Sequence, residues 1–331
     1  MKKTTVKKIT RGISKDFAEA FKQSELYELC ADHKDELLIG IRNNYLNLYY
    51  NCDSIAKIEY KKQDKEIVCV IDKYYLNGKH YSSTDKEKRD LIKQSEICKQ
   101  YEVIKKHSNA KATTEKKAQS KLVLLNNENK DSNWFCIDVE YVKQFNSQNE
   151  KKAADFNGRF DIIALSKKKP HRVALIELKY GSSAIGGKSG IYKHVEDFSK
   201  FCEKGYFEGH LKQEIIEIVK SQKELGISVP FKSFEEFDIL TPEFFFITLN
   251  NNAKKENAST PKQTMAGYLF NDMRWGCKKL TTKDSVEKMF GDITKKDNKF
   301  FATFLFSKAT LENIGITDII DGTYNERILP V

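Results

Sequence analysis

Three β-rich runs follow one another closely in the chain: Trp134 to Val142, Arg159 to Leu165 and Arg172 to Lys179. Only Ser166 to His171 parts the second from the third, so those two are expected to pair as a hairpin. A helix-like segment, Gly190 to Glu203, follows directly. A second, Leu211 to Leu225, carries Ile215, Ile218 and Val219 as an apolar stripe. Phe244 to Leu249 reads as a buried strand and Phe300 to Phe306 as another. Between them lie a polar loop, Asn250 to Gln263, and a helical stretch, Thr264 to Leu280. A helix over Thr114 to Asn126, with Ala118, Leu122 and Leu125 on one side, precedes the three runs. This order predicts an α/β fold built on a mixed sheet.

Upstream the pattern changes. Phe17, Phe21, Leu26 and Leu29 stand loosely at helical spacing and predict a helix within residues 16 to 33. Leu37 to Arg42 and Tyr45 to Tyr50 flank Asn43-Asn44, a pair that tolerates positive φ and suits a tight hairpin. With Ser54 to Tyr60 and Glu66 to Tyr75 they predict a four-stranded antiparallel meander. Residues 85 to 128 are charged, lack Gly and Pro, and are expected to be helical, with a weak interruption at Ser108 to Thr114. The domain boundary is placed there, dividing a β-rich part, 1–110, from a second domain, 111–331. The tyrosines of the first part (Tyr45, Tyr49, Tyr50, Tyr60, Tyr74, Tyr75) interleave with lysines. That pattern can stack on bases, but in strands it more often marks half-buried packing.

Composition narrows the partners. The 57 Lys and Arg outnumber the 47 Asp and Glu, leaving a formal net charge of +10, which favours polyanions such as nucleic acid. The basic start, Met1 to Lys8, is followed by no apolar stretch, so no secretory signal is expected. The longest apolar run, Phe244 to Ile247, is far short of a membrane helix, so no membrane partner is expected. Seven scattered cysteines with no CxxC pair argue against a disulfide framework and a thiolate zinc site, and point to the reduced cytoplasm.

The chemistry concentrates in Phe156 to Phe198. Glu177 and Lys179 are two apart on a strand, so they leave the same face, while Leu178 turns into the core. An acid and a base ending an apolar strand are costly unless solvated, paired or used. The hairpin brings Asp161 near Glu177. Two crowded carboxylates favour a divalent cation, and oxygen-only ligands suit Mg2+ or Mn2+. A surface ion pair beside an ordinary acid is the plainer alternative. Asp138 and Glu140 also share a face, one strand earlier.

Asp161 on one strand and Glu177-Leu178-Lys179 on the next resemble the PD-(D/E)XK nuclease superfamily, with Phe160 standing where the family's name has proline. The resemblance covers roughly residues 114 to 250. It implies a restriction-endonuclease-like core with helices on both faces of the sheet, and hydrolysis of phosphodiester bonds, in DNA more often than RNA. Asp161, Glu177 and Lys179 would be catalytic. Asp161 and Glu177, with Glu140 as an additional acid, would bind the metal, and Lys179 would assist the attacking water. A homodimer and a role in defence against foreign DNA enter by analogy with the family alone.

The segment after Lys179 is glycine-rich and leads into a helix, a setting that lets backbone and helix start approach phosphate. Lys188, Ser189, Lys193 and His194 are the expected phosphate contacts there. Gly187-Lys188-Ser189 also fits the end of a P-loop, but Ser182 stands where that motif needs its first glycine. A nucleotide hydrolase using Lys188 and Ser189 is therefore the first alternative. A nucleic-acid-binding protein that does not cut is the second.

Overall fold

The computed structural model describes residues 11–145, 147–181, 191–231, 242–249, 301–307, 315–321 and 325–330. For Ile191, Tyr192, Lys193, Val195 and the last-named strands, 301–307 and 325–330, the description covers the backbone alone. The chain forms two compact units, Met1–Leu124 with His210–Phe237, and Leu125–Gly209 with Asp238–Val331. The expected division between residues 110 and 111 follows the order of the chain. The compact units do not, because the helix Lys212–Glu224 returns to the first.

The first unit begins with α1 (Lys15–Lys22) and α2 (Glu25–Asp32), two helices where the spacing predicts one. The break has a local cause: Ser24 takes an extended backbone, and its Oγ caps α2 by accepting from Tyr27 N–H. Phe17, Phe21 and Leu26 are fully buried, as the spacing requires. The meander has five strands, not four: β1 (Leu37–Ile41), β2 (Leu46–Tyr50), β3 (Asp53–Lys61), β4 (Glu66–Asp72) and β5 (Arg89–Lys93), all antiparallel and in chain order. Asn44, at a φ of 54°, closes the first hairpin together with the bond from Arg42 N–H to Tyr45 O. β4 stops at Asp72 because that carboxylate caps α3 (Lys73–Asn77). β5 lies in the charged stretch expected to be helical. Its ladder with β4, Cys69 opposite Ile92, overrides its composition. The rest of that stretch is helical: α4 (Gln94–Lys99), α5 (Tyr101–Lys111) and α6 (Thr114–Glu128).

The second unit holds a mixed six-stranded sheet in the order β11-β10-β9-β8-β7-β6. Its strands are β6 (Trp134–Val142), β7 (Arg159–Ser166), β8 (Val173–Tyr180), β9 (Glu243–Leu249), β10 (Phe301–Ser307) and β11 (Asn325–Pro330). β6, β7 and β8 are antiparallel, β9 and β10 run parallel to β8, and β11 is antiparallel again. The expected α/β class and mixed sheet are therefore present. β11 and two short helices, α7 (Gln148–Ala154) and Ile316–Ile320, had no legible signal in the sequence. The expected loop Asn250 to Gln263 and helix Thr264 to Leu280 lie outside the described residues.

Ile162 to Leu165 and Val173 to Ile176 are fully buried, so β7 and β8 are apolar on both faces, as central strands of a covered sheet must be. Arg172, just before β8, makes a two-pronged ion pair with Glu243 of β9 (2.6 and 2.7 Å) and lies 4.9 Å from the Trp134 ring centroid of β6. That cluster fixes one end of the sheet. Glu177 and Lys179 stand toward the other end of β8.

Candidate active site

β8 delivers Glu177 and Lys179 from one face, with Leu178 fully buried on the other. Their partners in the parallel register are Phe246 and Thr248 of β9. Lys179 Nζ lies 2.7 Å from Glu177 Oε1. His194 Nε2, from α8 (Ile191–Glu203), lies 3.0 Å from the same oxygen. α8 is held on this face by Phe198, whose ring stacks on Phe244 at 4.8 Å. Glu177 is 4% exposed and Lys179 9%. Charges this deep are tolerable only in mutual contact, because desolvation opposes them.

Asp161 lies near the start of β7. The ladder pairs Ile162 with Ile176, so one further step along both strands brings Asp161 level with Glu177. Its Oδ2 accepts from Leu178 N–H at 2.8 Å, which ties it to the peptide between Glu177 and Lys179. Burial pushes the Asp161 carboxyl well above the usual carboxylate range, and the Glu177 charge pushes it further. Lys179 and the Leu178 N–H pull the other way, and Glu140 again raises it. A carboxyl with that bias gains from any cation placed beside it.

Glu140 lies on β6 between Val139, opposite Ile162, and Tyr141, opposite Phe160. That register sets it level with Asp161. Its φ is 52°, in the left-handed region that non-glycine residues rarely occupy and that costs on the order of 1–3 kcal/mol. Asp138 is buried and accepts from Val139 N–H at 2.9 Å, a local backbone role.

The structure thus brings together Asp161, Glu177, Lys179 and His194, with Glu140 within electrostatic reach. His194 was expected at phosphate and is found on Glu177. Lys188 and Ser189 lie outside the described residues, and of Lys193 only the backbone on α8 is described. Thr248 was not foreseen. It is fully buried beside Lys179 in the ladder, and its Oγ1 has no hydrogen-bond partner among the described residues. Phe244 to Leu249 reads simply as an apolar strand, so only the register singles Thr248 out.

Among the described residues no three or more His, Cys, Asp and Glu side chains gather into a ready-made metal cage. Asp161 and Glu177 alone would supply two carboxylates. Mg2+ is commonly bound in that way, keeping several waters and taking its remaining ligands from substrate phosphate. The all-oxygen donors and the raised Asp161 carboxyl fit such a cation. No helix among the described residues is long and apolar enough to cross a membrane. No family model matches the chain, and no curated protein or solved structure is significantly similar to it.

Proposed function

We propose that the protein is a divalent-metal-dependent nuclease with a restriction-endonuclease-like core, acting on DNA in preference to RNA. The observation that carries this reading is the Leu178 N–H bond to Asp161, which sets that acid beside the Glu177–Lys179 pair. The helix, three antiparallel strands, helix and parallel strand around it support the same reading.

Asp161 and Glu177 would hold Mg2+ or Mn2+. Bound there, the cation supplies polarisation of the scissile phosphate and a lower pKa for a coordinated water. Lys179 brings a positive charge to the phosphate side of the site and orients the attacking water through its ammonium. His194 holds Glu177 Oε1 from the opposite element and so positions it. Glu140 adds negative charge beside Asp161 and strengthens the pull on the cation.

The test is cleavage of plasmid, linear and single-stranded DNA and of RNA with Mg2+ or Mn2+. Wild type would run beside Glu177→Ala and Lys179→Ala, with EDTA as control. Metal-dependent cutting that both substitutions abolish is the expected result. Cutting that survives both would place the chemistry elsewhere. Binding with no cutting under any metal would favour a protein that holds nucleic acid without hydrolysing it.

A further inference from the structure

β6 and β7, the strands that carry Glu140 and Asp161, are joined by an excursion over residues 143–158. The excursion closes on itself through the bond from Lys143 N–H to Gly158 O (2.8 Å). Inside it, Phe156 is packed edge-on against Phe145, Phe201 and Tyr206, with centroids 5.7, 5.8 and 5.2 Å away. Lys204 Nζ donates to the carbonyls of Ala153 and Ala154, satisfying the end of α7 (2.6 Å each). Phe156 and the end of α7 are therefore anchored.

That surface carries a cleft of about 430 Å³ lined by Gln148, Lys151, Lys152, Asp155, Phe156 and Asn157. Lys151, Lys152 and Asn157 are exposed, as is Arg159 two residues further on. Among the described residues, Lys151, Lys152 and Arg159 enter no ion pair. Asp155, the acid in the lining, is engaged by Lys200 at 2.8 Å. Cations and amide donors thus face solvent over an aromatic floor, and Lys200 is shared between the lining acid Asp155 and Glu196. Asn157 is four residues from Asp161, so the two cannot be more than about 14 Å apart. On a duplex strand that is roughly four nucleotide steps at most.

We propose that this cleft is a phosphate-backbone subsite, holding the nucleic-acid strand within a few nucleotides of the scissile phosphate. The assignment rests on the nuclease reading for its position relative to the cut, and on the cleft's own residues for its chemistry. Lys151 and Lys152 meet phosphates, and Gln148 and Asn157 donate to phosphate or sugar oxygens. Such contacts carry no base information, so the subsite contributes affinity and register without sequence preference.

The experiment is a salt titration of binding in EDTA, using fluorescent oligonucleotides of duplex DNA, single-stranded DNA and RNA. Wild type is compared with Lys151→Gln/Lys152→Gln, with Lys151→Arg/Lys152→Arg, and with Lys61→Gln/Lys62→Gln on the first unit as a control. On duplex DNA the Gln pair is expected to lower the slope of log affinity against log salt by about 2 and to weaken binding roughly tenfold or more at ~0.1 M salt. The Arg pair should restore both, and the control should change neither. An unchanged slope and affinity in the Gln pair would overturn the subsite, as would failure of wild type to bind any of the three probes. The same proteins are then assayed for cutting with Mn2+. Cutting by wild type with an unaltered slope in the Gln pair removes the subsite and leaves the nuclease. A lowered slope with no cutting on any substrate removes the nuclease and leaves the cleft as a binding site.

Discussion

The N–H of Leu178 donates to Oδ2 of Asp161 across 2.8 Å. One hydrogen bond therefore fastens the acid of β7 to the peptide that separates the acid and base of β8. Everything proposed for the site depends on how these few groups share charge in a poorly hydrated place.

The Asp161 carboxyl sits well above the ordinary range because it is buried beside Glu177. Between the ordinary carboxylate pKa and the raised one, the folded chain keeps a proton that the unfolded chain has released. Stability contributed by that proton is present at low pH and falls as pH rises through the window. Asp161→Asn removes the titration, and its amide oxygen can still accept from Leu178. In EDTA the variant is expected to melt above wild type at about pH 8, with the margin closing towards about pH 4. Thermal melts across that range are the check, and a margin that widens on acidification would contradict the assignment.

Lys179→Met keeps the length of the side chain and takes away the cation 2.7 Å from Glu177. Breaking a buried pair from one side strands the other charge, at about 3–5 kcal/mol, and His194 should hold the loss near the lower end. Cleavage should fall by about 100-fold or more, as when one charge-stabilising donor is removed. Glu177→Gln combined with Lys179→Met should recover most of the stability and none of the activity. Urea unfolding of the four proteins in this cycle gives the coupling directly, and additive losses would mean the pair is not an energetic unit.

Glu140 holds a left-handed backbone within β6. Glycine adopts that conformation freely, although it gives up more chain entropy on folding. Glu140→Gly should leave stability unchanged or raise it by up to about 1 kcal/mol, whereas Glu140→Ala keeps the strain and should not. Both should weaken Mn2+ binding, measured by titration calorimetry. A strongly destabilised glycine variant would show that Glu140 is there for packing.

Thr248 Oγ1 is buried without a hydrogen-bond partner among the described residues. Valine has the same shape and no hydroxyl to desolvate. Thr248→Val should therefore stabilise the metal-free protein by about 1 kcal/mol in urea unfolding. A loss of stability would show that the hydroxyl finds a partner in the folded chain.

The sequence by itself determined β6 to β10 of the second unit and the shared face of Glu177 and Lys179. β6 to β9 and α8 are apolar or amphipathic enough to announce their period, and a two-residue spacing puts Glu177 and Lys179 on one face whatever the rest of the fold does. The split between α1 and α2 turned on one serine cap, a local competition that apolar spacing does not register. β5 was hidden because its residues are charged and only its ladder with β4 makes it a strand. Tertiary structure alone decided that Asp161 bonds Leu178, that His194 lands on Glu177, and that Thr248 lies beside Lys179. It also decided that the helix Lys212–Glu224 belongs with the first unit. The reason is the same in each case. Local spacing fixes which way a side chain leaves its own element. Which distant group it then meets depends on sheet order, register and packing, and those are set by contacts far apart in the chain.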